Sequence, residues 1–166
     1  MIVLGLDLST KTGVAVVDEK KNILYANEIE FKKLKGWERV SAILASIMEA
    51  HEKYKPDLVI IEELFIGRAS SAIVLAEISV PVKYYLWQEN IKFTTVPATS
   101  LKKWLTSKGN AQKDTMMMEV YKQFGYTSRT NNEADAVALA MLGQCILGVQ
   151  FPAPQISVMQ KIVKIS

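Results

Sequence analysis

The chain has 166 residues, 49% of them hydrophobic and 22% charged, with 20 Lys and Arg against 17 Asp and Glu for a formal net charge of +3. That balance excludes a disordered or collagen-like chain and suits one compact domain with a real core, whose mild basic excess can meet a polyanion if it clusters. One cysteine, Cys145, excludes an internal disulfide, and no apolar stretch reaches the length of a membrane span, so a reducing cytoplasmic setting is expected.

In chain order, Ile2–Leu8, Gly13–Asp18 and Asn22–Glu30 read as three strands joined by tight turns at Ser9–Thr12 and Glu19–Lys21, an antiparallel meander. From Trp37 to Tyr54, Val40, Ile43, Leu44, Ile47 and Met48 recur at helical spacing, ending before Pro56. Leu58–Leu64 is a buried strand, and the helical crossover before it makes it parallel to the first. A long helix over Ser70–Gln88 is expected to kink or break at Pro81. Ile91–Val96 is a fifth strand. Helices follow at Thr99–Ser107, Asp114–Phe124 and Asn132–Leu147, with Gly109 and Gly125 as stops, and the tail Pro152–Ser166 is weakly patterned, either loosely docked or frayed. Repeats, linkers and low-complexity segments are missing from the pattern.

Three acidic positions fall at the ends of these elements. Asp7 lies inside the first apolar run, where an isolated charge must neutralise, pair or bind a cation. Glu62 and Glu63 end the fourth strand, and because neighbours on a strand point to opposite faces, only one of them can share a site with Asp7. Asn132 and Asp135 stand three apart at the start of the last long helix, on one face, which turns Glu133 away. Carboxylates converging from distant segments are what Mg²⁺ requires, since it takes oxygen ligands and pairs with substrate phosphates. Metal-assisted phosphodiester chemistry is the resulting expectation.

The ordered set Gly5-Leu6-Asp7-Leu8-Ser9 with Thr12-Gly13, then Ile61-Glu62-Glu63-Leu64-Phe65, Leu101-Lys102 with Gln112-Lys113, and Ala134 to Ala140 around Asp135 resembles the RuvC-like Holliday junction resolvases of the ribonuclease H-like superfamily. The resemblance implies an α/β ribonuclease H-like fold: a five-stranded mixed sheet, strands 1–3 an antiparallel meander, flanked by helices. It implies that Asp7, Glu62 and Asp135 are catalytic acids holding two Mg²⁺ ions, with Mn²⁺ able to substitute. The family's fourth ligand position, an acid or histidine one turn before Asp135, is Asn132 here. An amide oxygen ligates without charge, so either Asn132 binds one ion weakly or Glu133 replaces it.

Lys102 and Lys113 match positions where the family carries lysines near the active site, Lys113 counted with the catalytic set; with Lys108 and Arg68 they are expected to contact DNA phosphates. Read from its position alone, Phe65 favours the core; the resemblance makes it a wedge against unpaired bases at the crossover. Ala69–Trp87 corresponds to the family's dimer-forming helix, and a two-fold homodimer would present two active sites to a four-way junction or other branched DNA. Trp104, Met116-Met117-Met118 and His51 are read as structural, and Lys32, Lys33, Lys35 and Arg39 as a solvated cluster.

Residues 1–150 are thus expected as the nuclease domain, with 151–166 a tail of the same domain or loosely docked. The opening Asp7-Leu8-Ser9 departs from the Asp-Pro-Gly usual in cellular members and points to a divergent, phage-type branch, placing the protein in a bacterial cell or a phage-infected host. Rival readings are a non-catalytic branched nucleic-acid binder that lost its chemistry through Asn132, and an RNA-processing nuclease of the same fold. An actin-like or sugar-kinase ATPase also opens on an acid and a glycine turn, but needs two such domains, so no nucleotide cofactor is expected.

Overall fold

The structure, a computed structural model, describes residues 1–63 and 69–163. Strands β1 (Ile2–Asp7), β2 (Lys11–Asp18) and β3 (Ile23–Glu30) form the expected meander, and β4 (Leu58–Glu62) returns beside β1 after helix α1 (Gly36–Tyr54). With β5 (Phe93–Val96) they make a five-stranded sheet in the order β3-β2-β1-β4-β5, antiparallel across β1, β2 and β3 and parallel across β1, β4 and β5. Helices α2 (Ala69–Gln88), α3 (Ala98–Thr106), α4 (Lys113–Phe124), α5 (Asn131–Ile146) and α6 (Ala153–Val163) complete the chain.

Alternation along the strands divides the core. Leu4, Leu6, Val14, Val16, Val59 and Ile61 face α1 and α2, whereas Val3, Ala15, Val17, Leu58 and Ile60 face α5 and the helices around it. Both faces of β1 and β4 are covered, which is why they read as continuous apolar runs. Buried Ile43 and Ile47 bind α1 to the sheet, and Ile78, Val82 and Leu86 give α2 its inner stripe.

Helix α5 is buried almost all round, from Ala134 through Cys145 apart from the charged Asp135, and it lies directly on β1 and β2. Two glycines make that approach possible: a Cβ on Gly5 would sit 2.2 Å from the Ala136 carbonyl oxygen, and one on Gly13 only 1.9 Å from that of Asn132. The alanine-rich sequence of α5 supplies the matching flat surface. Its first turn is secured by Thr130, whose hydroxyl accepts from the Glu133 N–H at 3.2 Å.

Several expectations are corrected. Helix α3 ends where expected, but the residue that stops it is Ser107 and not Gly109: Ser107 is held left-handed at φ 64°, and its N–H donates to the Lys103 carbonyl at 2.9 Å. Helix α2 continues through Pro81 without a break. The weakly patterned tail forms α6, where Ile162 is buried and Gln155 donates to Gln123 at 3.0 Å, while Phe151 just before it stacks near Trp104 with ring centres 5.4 Å apart. Proline residues at 152 and 154 mask its helical start in the sequence, since their fixed φ suits a first turn as well as a loop.

Gly13→Ala is expected to cost about 1–3 kcal/mol, because the clash is with backbone and cannot be relieved by a rotamer change. A thermal melt that leaves Tm unchanged in this variant would refute direct contact between α5 and β2.

Candidate active site

The ends of β1 and β4 and the start of α5 meet at one edge of the sheet. Asp7 follows Val3 and Gly5 on the face toward α5, and Glu62 follows Leu58 and Ile60 on that same face. The last register pair between these strands is Leu6 with Ile61, one residue before each acid. Glu63 alternates away, exposed, with its N–H donating to the Val96 carbonyl at 2.8 Å. Asp135 descends from the first turn of α5.

The electrostatics agree with these acids sharing one environment. Burial, then Glu62 and Asp135, push the Asp7 carboxyl up to about 8, with Lys113 opposing. Burial and Asp135 raise Glu62 to about 7 against the pull of Lys102 and Lys113. Asp135 is raised by burial to about 6, and the same two lysines hold it down.

The neighbours of Asp135 divide sharply. Glu133 is fully buried and accepts from the Tyr126 hydroxyl, from the Arg129 N–H at 2.9 Å and from the Arg129 guanidinium. Burial alone would raise its pKa, but these hydrogen bonds outweigh that and hold it below the usual range. Its oxygens are committed to Tyr126 and Arg129, which leaves Asn132 as the better placed of the two. The Asn132 amide donates to Glu28 Oε2 at 2.8 Å.

Sequence reasoning passed over Glu28. Asp7 pairs with Gly13, and Gly13 pairs with Glu28, so the two acids flank Gly13 on one face of three adjacent strands. Counting from the β2–β3 turn hides this, because Val17 pairs with Ile23 whereas Val16 pairs with Tyr25. The shift leaves Leu24 as an extra residue, and without it Asn27 would oppose Gly13 and Glu28 would face the other side.

A family model described as crossover junction endodeoxyribonuclease RuvC matches residues 3–143. The chain belongs to this family. A RuvC from Brachyspira hyodysenteriae is 34% identical over 147 residues, covering 85% of this chain and 92% of that protein. Another, from Hydrogenovibrio crunogenus, is 28% identical over 145 residues, covering 84% of each. Among solved structures, Thermus thermophilus RuvC in complex with a Holliday junction substrate superposes with a TM-score of 0.76 at 23% identity, over 85% of this chain and 91% of that one. The ribonuclease H-like fold expected from the sequence is therefore present, and the chain is an endodeoxyribonuclease of the crossover-junction class.

Other residues singled out for the RuvC reaction are placed unequally. Lys102 is half-buried on α3 and Lys113 is the exposed first residue of α4, and both act on the acids. Lys108 is exposed in the turn between those helices, its N–H donating to the Thr106 hydroxyl at 3.1 Å. Phe65 and Arg68 lie outside the described residues. His51 meets the Tyr85 hydroxyl at 3.3 Å, and Trp104 and Met116 are core residues as expected, although Met118 is exposed. Lys32 pairs with Glu30 at 3.6 Å in its solvated cluster.

Metal dependence comes with the RuvC family, and the residues present fit it in kind. Three carboxylates and an amide are all oxygen donors suited to a hard cation, and carboxyls with raised pKa values gain when a cation replaces their protons. Among the described residues, no group of three or more His, Cys, Asp or Glu side chains is arranged as it stands to hold a metal ion.

The pH dependence follows from the direction of these shifts. Acids whose folded pKa is raised hold protons that the unfolded chain has released, so stability falls as pH climbs from their ordinary range toward about 8, the value for Asp7. Metal-free protein is expected to lose Tm between about pH 5 and about pH 8, and Asp7→Asn to flatten that loss, regaining about 2–4 °C per kcal/mol of relieved repulsion. Differential scanning calorimetry across this range checks it; parallel pH profiles for both proteins would show that Asp7 is not crowded.

Proposed function

We propose that this protein nicks four-way junctions or other branched DNA by Mg²⁺-dependent phosphodiester hydrolysis, with Asp7, Glu62, Asp135 and Asn132 holding two ions that Mn²⁺ can replace. The observation that supports this reading most is that the ends of β1 and β4 and the first turn of α5 bring three carboxylates from distant segments to one sheet edge. Bound there, the cations supply a positioned scissile phosphate, an activated water and charge for the leaving 3′-oxygen. Asp7, Glu62 and Asp135 give up their protons to bind and orient that charge. In this reading Lys113 and Lys102 would meet phosphate oxygens, as would Lys108 and Arg68, and Phe65 would meet unpaired bases at the crossover.

The proposal includes a homodimer through α2. Supporting it, Ile73, Val80, Tyr84 and Trp87 are each 59–68% exposed on one face of that helix, while Ile78, Val82 and Leu86 fill the opposite side. A helix apolar on both sides has two surfaces to cover, and the inner core accounts for one. In the same reading 1–150 is the nuclease domain, 151–166 its docked extension through α6, and the setting is the cytoplasm of a bacterial cell or a phage-infected host.

Labelled DNAs test the activity: a mobile four-way junction, a three-way fork and a linear duplex, with Mg²⁺ or EDTA. Paired symmetric nicks confined to the junction, and lost with EDTA or in Asp7→Asn, are expected. Equal cutting of the fork would indicate a general branched-DNA nuclease, and binding without cutting in Mg²⁺ or Mn²⁺ would leave a nucleic-acid binder or an RNA enzyme.

For the dimer, Tyr84→Glu with Trp87→Glu is expected to give a folded monomer by light scattering, with paired nicks replaced by slow single ones. Retention of the dimer in this variant would move the interface elsewhere.

A further inference from the structure

We infer that Glu28 is a positioning residue of the active site: its carboxylate fixes the amide of Asn132, so that Asn132 Oδ1 is presented as a ligand, and it contributes to the site the negative charge that an asparagine cannot.

Three geometric facts carry this. The meander register sets Glu28 beside Gly13 and Gly13 beside Asp7, so Glu28 stands on the face of the sheet that bears the acids. Gly13 has no side chain to intervene, and the Asn132 carbonyl would lie 1.9 Å from a Cβ there, so the first turn of α5 rests in the gap between the two acids. Across that gap Asn132 Nδ2 donates to Glu28 Oε2 at 2.8 Å.

The chemistry of the pair decides the orientation. The contact has Asn132 Nδ2 as donor and a Glu28 carboxylate oxygen as acceptor, so the amide presents its NH₂ to Glu28. Its oxygen, the one atom able to ligate a hard cation, is then turned to the other side. A carboxylate behind a ligand also polarises it, and such outer partners typically govern metal affinity about 10–100-fold. Glu28 adds to the field at Asp7 as well, in the same direction as Glu62 and Asp135. The Leu24 register shift is what turns Glu28 to this face, and so belongs to the site's construction.

This inference rests on the two-cation reading, and its test separates the two. Mn²⁺ binding is measured by electron paramagnetic resonance, and the Mg²⁺-induced rise in Tm by calorimetry, for the wild type, Glu28→Ala, Glu28→Gln, Asp7→Asn and the double variant Glu28→Gln with Asn132→Asp. Glu28→Ala is expected to weaken cation binding about tenfold or more, with a metal-free Tm close to wild type. Glu28→Gln keeps an acceptor for the amide and loses only the charge, so it falls between the two. The double variant, which moves the carboxylate to position 132, is expected to recover binding. Wild-type affinity in Glu28→Ala, alongside a loss in Asp7→Asn, would overturn the role of Glu28 and leave the cation site standing. Absence of any cation response in the wild type would overturn both.

Discussion

The arrangement depends on α5 lying against the sheet with no layer of side chains between them. Gly5 and Gly13 remove the obstruction on β1 and β2, and the alanines of α5 remove it on the helix. Bulk on either surface would lift the helix, and with it Asp135 and Asn132, away from the acids at the strand ends. Close packing of this kind also buries the site, and burial is the first cause of the raised pKa of all three acids.

Crowded carboxylates are a liability for folding and an asset for binding cations. Buried Leu4, Leu6, Ile60 and Ile61 in the strands beneath offset the cost, while Lys102 and Lys113 relieve part of the repulsion from α3 and α4. Those lysines come from exposed or half-buried positions on separate helices, clear of the core. Glu133 shows the contrasting use of a buried acid, tied by Tyr126 and Arg129 into a network that anchors the loop before α5.

The two outer edges of the molecule serve different ends. Helix α2 carries apolar residues on both sides, and its outer stripe is separate from the contact it makes to α1. Helix α6, through Ile162 and with Phe151 just before it, closes the far side of the core, extending the hydrophobic cluster that holds α3 and α4, and therefore the two lysines, in place.

Much of this was legible along the chain. The meander, the parallel return of β4 and the choice of Glu62 or Glu63 follow from turn residues, crossover length and strand alternation, all local rules. Asp7, Glu62 and Asp135 stood out because a charge inside or ending an apolar run requires a partner. What only the tertiary structure decided involves relations between elements. Glu62, which the family resemblance had already picked over Glu63, lies on the face on which α5 packs. Glu133 was withdrawn by Tyr126 and Arg129. Glu28 was brought in by one extra residue at Leu24. A strand's period of two makes its facing depend on every residue counted from the turn, so a single bulge reverses it, and no local pattern in an edge strand reveals which register the sheet has taken.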